Sequence, residues 1–289
     1  MAKEHSTNFV LHAKSNQFNW EGSGQLSIKT FSNGKALYKT NKGFFAVEEK
    51  RYLLLNEGDY TISIDQKEEV ESFCIFFRDG FAGEVLGAMS ASSNALLTDP
   101  FKDSDSIGFF EKTYPLAPSL DNRLSAFKEN LAILKETPLG YEEQFHQLMQ
   151  SLLFGQLKTL REVESLKAVR SSTREELYRR ISIAHEYIRS FFDTAISLDD
   201  IARTSCMSAN HLLRTYIQIF GKTPYQHISE LRVEKAKRLL KNPGLTITDI
   251  TFELGFTNPV SFSKMFRQHT GHSPQQFRKK VILDKNYSY

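Results

Sequence analysis

The last third of the chain contains one supersecondary unit twice. Ser197-Leu-Asp-Asp-Ile-Ala, a break at Ser205-Cys206-Met207 and the segment Ser208 to Phe220 form the first copy. Thr246-Ile-Thr-Asp-Ile-Thr, a break at Gly255-Phe256 and Asn258 to Thr270 form the second, about 50 residues later. Each copy closes on one formula, Gly221-Lys-Thr-Pro224-Tyr-Gln226 and Gly271-His-Ser-Pro274-Gln-Gln276. A repeat on this scale declares a duplicated structural unit and constrains the fold before composition does.

Each copy reads as a helix-turn-helix. Ser197 with Asp200, and Thr246 with Asp249, have capping-box spacing. The short first helix turns Leu198, Ile201 and Ala202 inward, matched by Ile247, Ile250 and Thr251 in the second copy. Two helices then meet steeply across a tight turn. Gly255 supplies the backbone freedom for it in the second copy; Thr204-Ser205-Cys206 gives a weaker signal in the first. The following helix buries Leu212, Tyr216 and Phe220, or Phe262 and Phe266, on one stripe. Its other face carries Asn210 and Arg214 in one copy and Asn258, Ser261, Lys264 and Arg267 in the other.

These residues, with Arg232-Val-Glu-Lys-Ala236-Lys-Arg-Leu239-Leu240 between the copies, resemble the DNA-binding domain of the AraC/XylS family of bacterial transcription regulators. The resemblance covers about a third of the chain. It implies a sequence-specific DNA-binding regulator in which two reading helices on a rigid spacer enter successive major grooves, about 34 Å apart. The expected base readers are Asn210, Leu213, Arg214, Asn258, Ser261 and Lys264; Arg214 suits guanine and Asn210 adenine. Ser208, His211, Arg267, Lys279 and Lys280 are the expected phosphate contacts. Leu213, Ile217, Pro259, Val260 and Thr251 depart from the family pattern and leave base-by-base specificity open.

Charge divides the chain in the same way. Residues 173–289 carry a net +7 and residues 1–172 a net −4. A basic half is a footprint for phosphate, whereas an acidic half is repelled by it. Cys74 and Cys206 are the two cysteines, too few for a disulfide framework or a metal cluster. No apolar run approaches the ~20 residues that span a bilayer, and Met1 to His5 lacks a signal core. These features lead to the expectation of a cytoplasmic protein with no membrane association.

Residues 20 to 77 read as evenly spaced short strands: Gln25–Thr30, Ala36–Thr40, Phe44–Val47, Tyr52–Leu55, Tyr60–Ile64 and Phe73–Phe77. Asn33-Gly34 signals a hairpin, and Asp65 to Glu69 a turn. Such spacing points to a small barrel or jelly roll. By the resemblance it is a cupin-like effector domain, so Trp20, Phe44, Tyr52 and Tyr60 are expected to line the site of a small-molecule effector. Each of these aromatics also suits an ordinary core position, and Arg51 and Arg78 suit a solvated surface better than contact with an anionic ligand.

Phe81 to Met89 reads as a short helix, Ala91 to Asp105 as a loop and Phe109 to Tyr114 as a last strand. Leu120–Leu134 and Tyr141–Leu160 are amphipathic and form a helical hairpin. In the family such helices dimerise, so a homodimer through residues 120–160 is expected. Domains are then 1–160 (effector binding and dimerisation), 161–172 (linker) and 173–289 (DNA binding). The fold class is α+β: a cupin-like barrel with a helical hairpin, then an all-α domain of two helix-turn-helix units joined by a helix. The chain beyond Val281 reads as frayed.

No catalytic or metal residues and no cofactor are expected. His5 and His12 are the only histidines before His146, and no His-x-His occurs. Ser23 precedes a strand, the wrong context for a nucleophile elbow, and reads as part of a flexible turn. Partners are double-stranded DNA, a small effector and RNA polymerase. Two alternatives stand beside this reading. The barrel serves only dimerisation or a protein partner, or an enzyme is fused to the DNA-binding module. The last needs a reactive cysteine cluster, and Cys74 stands alone in an apolar strand.

Overall fold

The computed structural model describes residues 7–90, 108–168 and 170–286. The chain divides into two compact units, 1–179 and 180–289. The expected loop over Ala91–Asp105 lies outside the described residues.

The first unit opens with strands β1 (Phe9–Gly24), β2 (Ser27–Ser32), β3 (Lys35–Thr40), β4 (Gly43–Glu48), β5 (Arg51–Leu55) and β6 (Gly58–Phe76). Helix α1 (Phe81–Ser90), β7 (Lys112–Pro115), α2 (Pro118–Glu129), α3 (Leu131–Lys135) and α4 (Pro138–Glu164) complete it, with the start of α5 (Ser171–Phe191). Helix thus covers residues 161–164 and resumes at Ser171, which leaves 165–170 between.

The strands form a nearly closed antiparallel barrel in the order β4-β3-β6-β2-β5-β7, with β1 on the other side of β6. β6 is its axis. Its first half pairs with β3 and its second half with β2, while β1 runs along its whole length. Three expectations change here. Asp65–Glu69 is no chain reversal: β6 passes through it, and only its register against β1 shifts, between Ser15 and Gln17. Asn33-Gly34 joins β2 to β3, which pair with different halves of β6 and not with one another. Ser23 lies in β1 opposite Asp59, not in a flexible turn.

β1 itself escaped the sequence reading, and the register shift explains why. Phe9, Leu11 and Ala13 oppose Phe76, Cys74 and Ser72; beyond the shift Phe18, Trp20 and Gly22 oppose Ile64, Ile62 and Tyr60. Opposed residues share a face, so the apolar positions change from odd to even at the shift. No single period of two runs through the strand.

Both faces of the second half-sheet are covered, so its strands read as continuous apolar runs. Phe31, Tyr38, Phe45, Leu53, Leu55, Tyr60, Cys74 and Phe76 pack inside the barrel. On the other face Ile28, Tyr52, Leu54, Phe73 and Ile75 pack against Phe81, Leu124, Phe127, Phe145 and Leu152 of the helices. The stripe Leu120–Leu134 is split by Asn130, where α2 ends and α3 begins. Arg51 and Arg78 are tied down: Arg51 donates to Thr113 O at 2.6 Å, and Arg78 to Glu84 Oε1 at 2.7 Å.

Glu71 pins three strands to a helix. Its carboxylate accepts from Lys128 Nζ on α2 at 2.8 Å and Ser32 Oγ on β2 at 3.0 Å, and meets His12 Nε2 on β1 at 2.8 Å. These bonds, Lys128 first, draw its pKa from an ordinary 4.5 to about 2. A carboxyl held below its unfolded value stabilises the fold above that value and loses the contribution as pH falls through the folded one. Glu71→Gln should therefore cost about 1–2 kcal/mol at pH 7 after solvent screening. Urea unfolding at a series of pH values should show wild type and variant converging between 4.5 and about 2. A gap that persists below that window would mean that Glu71 acts by packing.

The second unit contains the rest of α5, then α6 (Leu198–Thr204), α7 (Ala209–Phe220), α8 (Pro224–Leu239), α9 (Ile247–Glu253), α10 (Pro259–Thr270) and α11 (Pro274–Asn286). α11 continues through Asn286, past the point at which fraying was expected. Ile181, Ala184, Ile188, Ile201, Leu212 and Tyr216 form one core; Val233, Ala236, Ile250, Leu254, Phe262 and Phe266 form the other. Leu198 departs from expectation: it is exposed and does not join that core. Both capping boxes form, and the Ser197 and Thr246 hydroxyls draw the Asp200 and Asp249 carboxyls below their usual range.

Candidate nucleic-acid interface

The two reading helices are built alike. Ser208 and Asn258 are their N-caps: Ser208 Oγ accepts from His211 N at 3.4 Å and Asn258 Oδ1 from Ser261 N at 2.8 Å. Gly221 and Gly271 close them in the left-handed conformation, with φ of 68° and 75°. A shift of 50 residues superposes Ser208 on Asn258, Leu212 on Phe262, Tyr216 on Phe266 and Gly221 on Gly271. The same shift places Asn210 on Val260, Arg214 on Lys264, Ile217 on Arg267 and Gln218 on Gln268. Spacings of three, four and seven residues gather these positions on one outward face of each helix.

That face is exposed in both copies. Asn210, His211, Arg214, Ile217 and Gln218 are exposed on α7, and Val260, Ser261, Lys264, Arg267 and Gln268 on α10. Arg214, Lys264 and Arg267 form no ion pair among the described residues, so their charges face outward uncompensated. Lys279 and Lys280 are exposed on α11. Pro259, Val260, Ser263, Lys264, Arg267, Gln268 and Ser273 line an open groove along α10.

The remaining expected site residues divide. Leu213 is half buried. Asn258 holds its side-chain oxygen in the cap, as Ser208 does, which leaves Val260 in the place matched to Asn210. Val260, Ser263 and Gln268 were missed among the site residues, although the repeat shift marks all three. The four barrel aromatics do not converge. Trp20 and Tyr60 pack together at 5.0 Å between ring centroids. Tyr52 lies on the opposite sheet face, stacked on Tyr114 at 5.2 Å. Phe44 is half buried, and its neighbour Phe45 is the one that enters the barrel core.

A polar junction holds the two copies in place. Arg232 on α8 donates to Phe192 O at 2.6 Å and Thr194 O at 2.8 Å, just past α5, and its guanidinium lies 4.7 Å from the Phe256 ring centroid. Lys235, one turn on, pairs with Asp193 at 3.0 Å and donates to Glu253 O at 3.1 Å. One face of α8 therefore grips the end of the first copy's supporting helix and the turn of the second copy. The turn needs a left-handed residue in each copy, Cys206 at φ 52° and Gly255 at φ 74°. Cysteine seldom takes that conformation, so the first turn was faint in the sequence.

The architecture defines a class, a tandem helix-turn-helix domain on a connecting helix. Residues 201–280 match the family described as a helix-turn-helix domain. The Msm operon regulatory protein of Streptococcus mutans serotype c is 28% identical over 160 residues, 54% of this chain and 55% of that protein. The HTH-type transcriptional activator RhaS of Escherichia coli O139:H28 is 29% identical over 129 residues, 45% of each. The bifunctional transcriptional activator/DNA repair enzyme AdaA of Bacillus subtilis is 30% identical over 108 residues, 37% of this chain and 51% of that protein. The chain spans about half the length of the curated relatives it matches.

Proposed function

We propose that the protein is a sequence-specific DNA-binding regulator of transcription, acting in the cytoplasm, whose N-terminal barrel answers to a small molecule. The observation that carries this reading is the pair of matched, capped helices that turn Asn210 and Arg214, and Val260 and Lys264, outward from one gripped junction. Asn210 and Arg214 read base edges in one major groove; Lys264, Ser261 and the apolar Val260 read the next, Val260 against a thymine methyl. Arg267, His211, Lys279, Lys280 and the helix N-termini hold phosphate. The functional domains are 1–160 and 173–289, with 161–172 between them. Activation, the mode in the names of RhaS and AdaA, makes RNA polymerase a further partner.

Two observations shape the first domain's role. Phe154, Leu157 and Leu160 are exposed at spacings of three on α4, which supports a homodimer through residues 120–160. Cys74 is buried and burial pushes its thiol up, which disfavours a reactive thiolate at that position.

Selection of sheared genomic DNA by the full-length protein at one near-physiological salt tests the reading. Recovery of a few fragments sharing two half-sites about one helical turn apart supports it; recovery of random fragments by both the full-length protein and residues 173–289 refutes it. On a selected site, Arg214→Ala should cost about 1–3 kcal/mol and relax preference at one base pair. Arg267→Ala should weaken all DNA evenly and lower the salt slope by roughly one phosphate's worth. Equal losses on specific and random DNA for Arg214→Ala would remove it from base reading.

A further inference from the structure

The inside of the barrel holds an amine with no counter-ion among the described residues. Ser27, Lys29 and Phe31 alternate along β2, and Phe31 lies in the interior cluster, so all three turn inward. Lys29 is 1% exposed. Its ammonium lies 3.6 Å from the Phe76 ring centroid and 5.1 Å from that of Tyr60. It donates to Tyr60 Oη at 3.2 Å. An ammonium has three N–H donors, and ring faces compensate a desolvated cation only in part.

The surrounding groups supply no negative charge. Lys29 stands opposite Cys74 in the β2–β6 register, and burial pushes that thiol up and keeps it neutral. Burial likewise pushes Tyr60 up to about 12, and Tyr38 is raised too. Among the described residues no carboxylate pairs with Lys29. Burial lowers its own pKa to about 8, so the amine is still mostly charged at neutral pH.

A second observation points the same way. Ser27 Oγ, and both Nε2 and Oε1 of Gln25, are buried without a hydrogen-bond partner. Gln25 is 1% exposed and Ser27 0%. Ser27 and Lys29 lie two residues apart on β2 and share its inward face, and Gln25 directly precedes the bend at Leu26 that leads into β2. Folded proteins rarely leave several buried polar atoms unsatisfied within so short a stretch, since each has lost its bonds to water without replacement. A carboxylate is the group that accepts from an ammonium, an amide and a hydroxyl together.

Tyr60 accepts from Lys29 on one side. It lines a cavity of about 330 Å³ that also takes in Leu55, Gly58 and Lys42. Glu57, Asp59 and Glu111 line the same cavity, and Lys42 is paired to Glu111 at 2.9 Å. A rim of that sign repels each negative charge on an entering molecule, so a ligand with one carboxylate enters at less cost than a ligand with two.

We infer that the barrel interior binds a small monocarboxylate, with its carboxylate on Lys29, Ser27 and Gln25 and its apolar body on Phe31 and Phe76, admitted when the Tyr60 side chain turns aside. This names the chemical class of the effector and rests on the reading of the barrel as a sensor. It does not depend on the helix-turn-helix units.

Trp20, the single tryptophan, packs on Tyr60 and reports on it. The full-length protein, free of DNA, is titrated with butanoate, hexanoate and cyclohexanecarboxylate, and with the amide of each, while Trp20 fluorescence is read. Saturable binding of at least one acid is expected, with its amide at least tenfold weaker. Lys29→Met should abolish the response while keeping a cooperative melt. In the wild type, binding should weaken as pH rises from 7 to 10, because the amine loses its charge; this second measurement needs no variant. Acid and amide binding alike, a variant that binds as the wild type does, affinity flat across that pH range, or no binding by any of the acids would each overturn the inference. DNA selection run alongside keeps the two readings apart: its success with no carboxylate binding sinks only this inference, and its failure with carboxylate bound sinks only the regulator.

Discussion

Gly255→Ala should unfold the second helix-turn-helix unit, whereas Gly221→Ala, also at a left-handed position, should cost little. Gly255 sits at φ 74° and Gly221 at φ 68°. Both substitutions carry the backbone penalty of a left-handed alanine, about 1–2 kcal/mol. They differ in what a Cβ meets. At Gly221 nothing lies within 4 Å; at Gly255 a Cβ would stand 2.6 Å from Asp193 O, 2.8 Å from its carbonyl carbon and 3.0 Å from Thr194 N. That backbone cannot yield cheaply, because Arg232 holds the carbonyls of Phe192 and Thr194 and Lys235 holds the Asp193 carboxylate. The sum is about 3–5 kcal/mol, the range reserved for buried steric conflict and a large part of the 5–15 kcal/mol that typically stabilises a domain. Calorimetry of the full chain should show one transition lost or strongly lowered in Gly255→Ala and displaced by only a few degrees in Gly221→Ala. Similar melts for the two variants would mean that close approach to Asp193 contributes nothing.

Lys29→Met should make the barrel more stable at neutral pH and no more stable at high pH. Burial lowers the Lys29 pKa from an ordinary 10.5 to about 8. Between those values the unfolded chain binds the proton and the folded one does not, so stability rises with pH across that window. Below it the fold carries the full penalty, about 3 kcal/mol for a shift of that size. Methionine has similar length and no charge, and it strands only the Tyr60 hydroxyl, which offsets about 1 kcal/mol. A net gain of about 2 kcal/mol is expected in urea unfolding at pH 7, shrinking to nothing above the ordinary lysine value. A loss at both pH values would show that the amine is satisfied within the fold. A gain accompanied by loss of carboxylate binding is the trade expected of a functional residue kept at a cost in stability.

The two predictions come from opposite ends of what a sequence discloses. The tandem units were legible because their signals are local. A capping box needs residues three apart, an apolar helical stripe needs residues three and four apart, and a C-terminal glycine acts on the turn just before it. Ser197 with Asp200, Thr246 with Asp249, and Phe262 with Phe266 carry those signals within single helices. The repeat then confirmed them twice over, and it also held the match of Val260 to Asn210, which a one-helix reading overlooks. That same helix-by-helix reading took Asn258 for a base reader, although it stands where Ser208 caps the first copy.

The barrel was legible only as a class. Its strands are set by partners far along the chain, so β6 could not be seen as one strand until β1 was laid against it, and β1 could not be seen at all because its apolar phase changes at Ser15. Lys29 hid for a related reason. In a half-exposed sheet, the residues alternating with Leu26 and Ile28 face water, but a closed barrel with a helical layer outside buries both faces. Tyr52 moved away from Tyr60 by the same alternation. Arg232 and Gly255 were visible as residues from the start. What they hold, the end of α5 more than 35 residues before Arg232, was not. By itself the sequence determined the helices, their caps and the duplicated unit, because those depend on spacings within a turn or two. Only tertiary structure decided which charges are buried, which faces are inner and which backbone atoms touch, because those depend on pairings that no local period records.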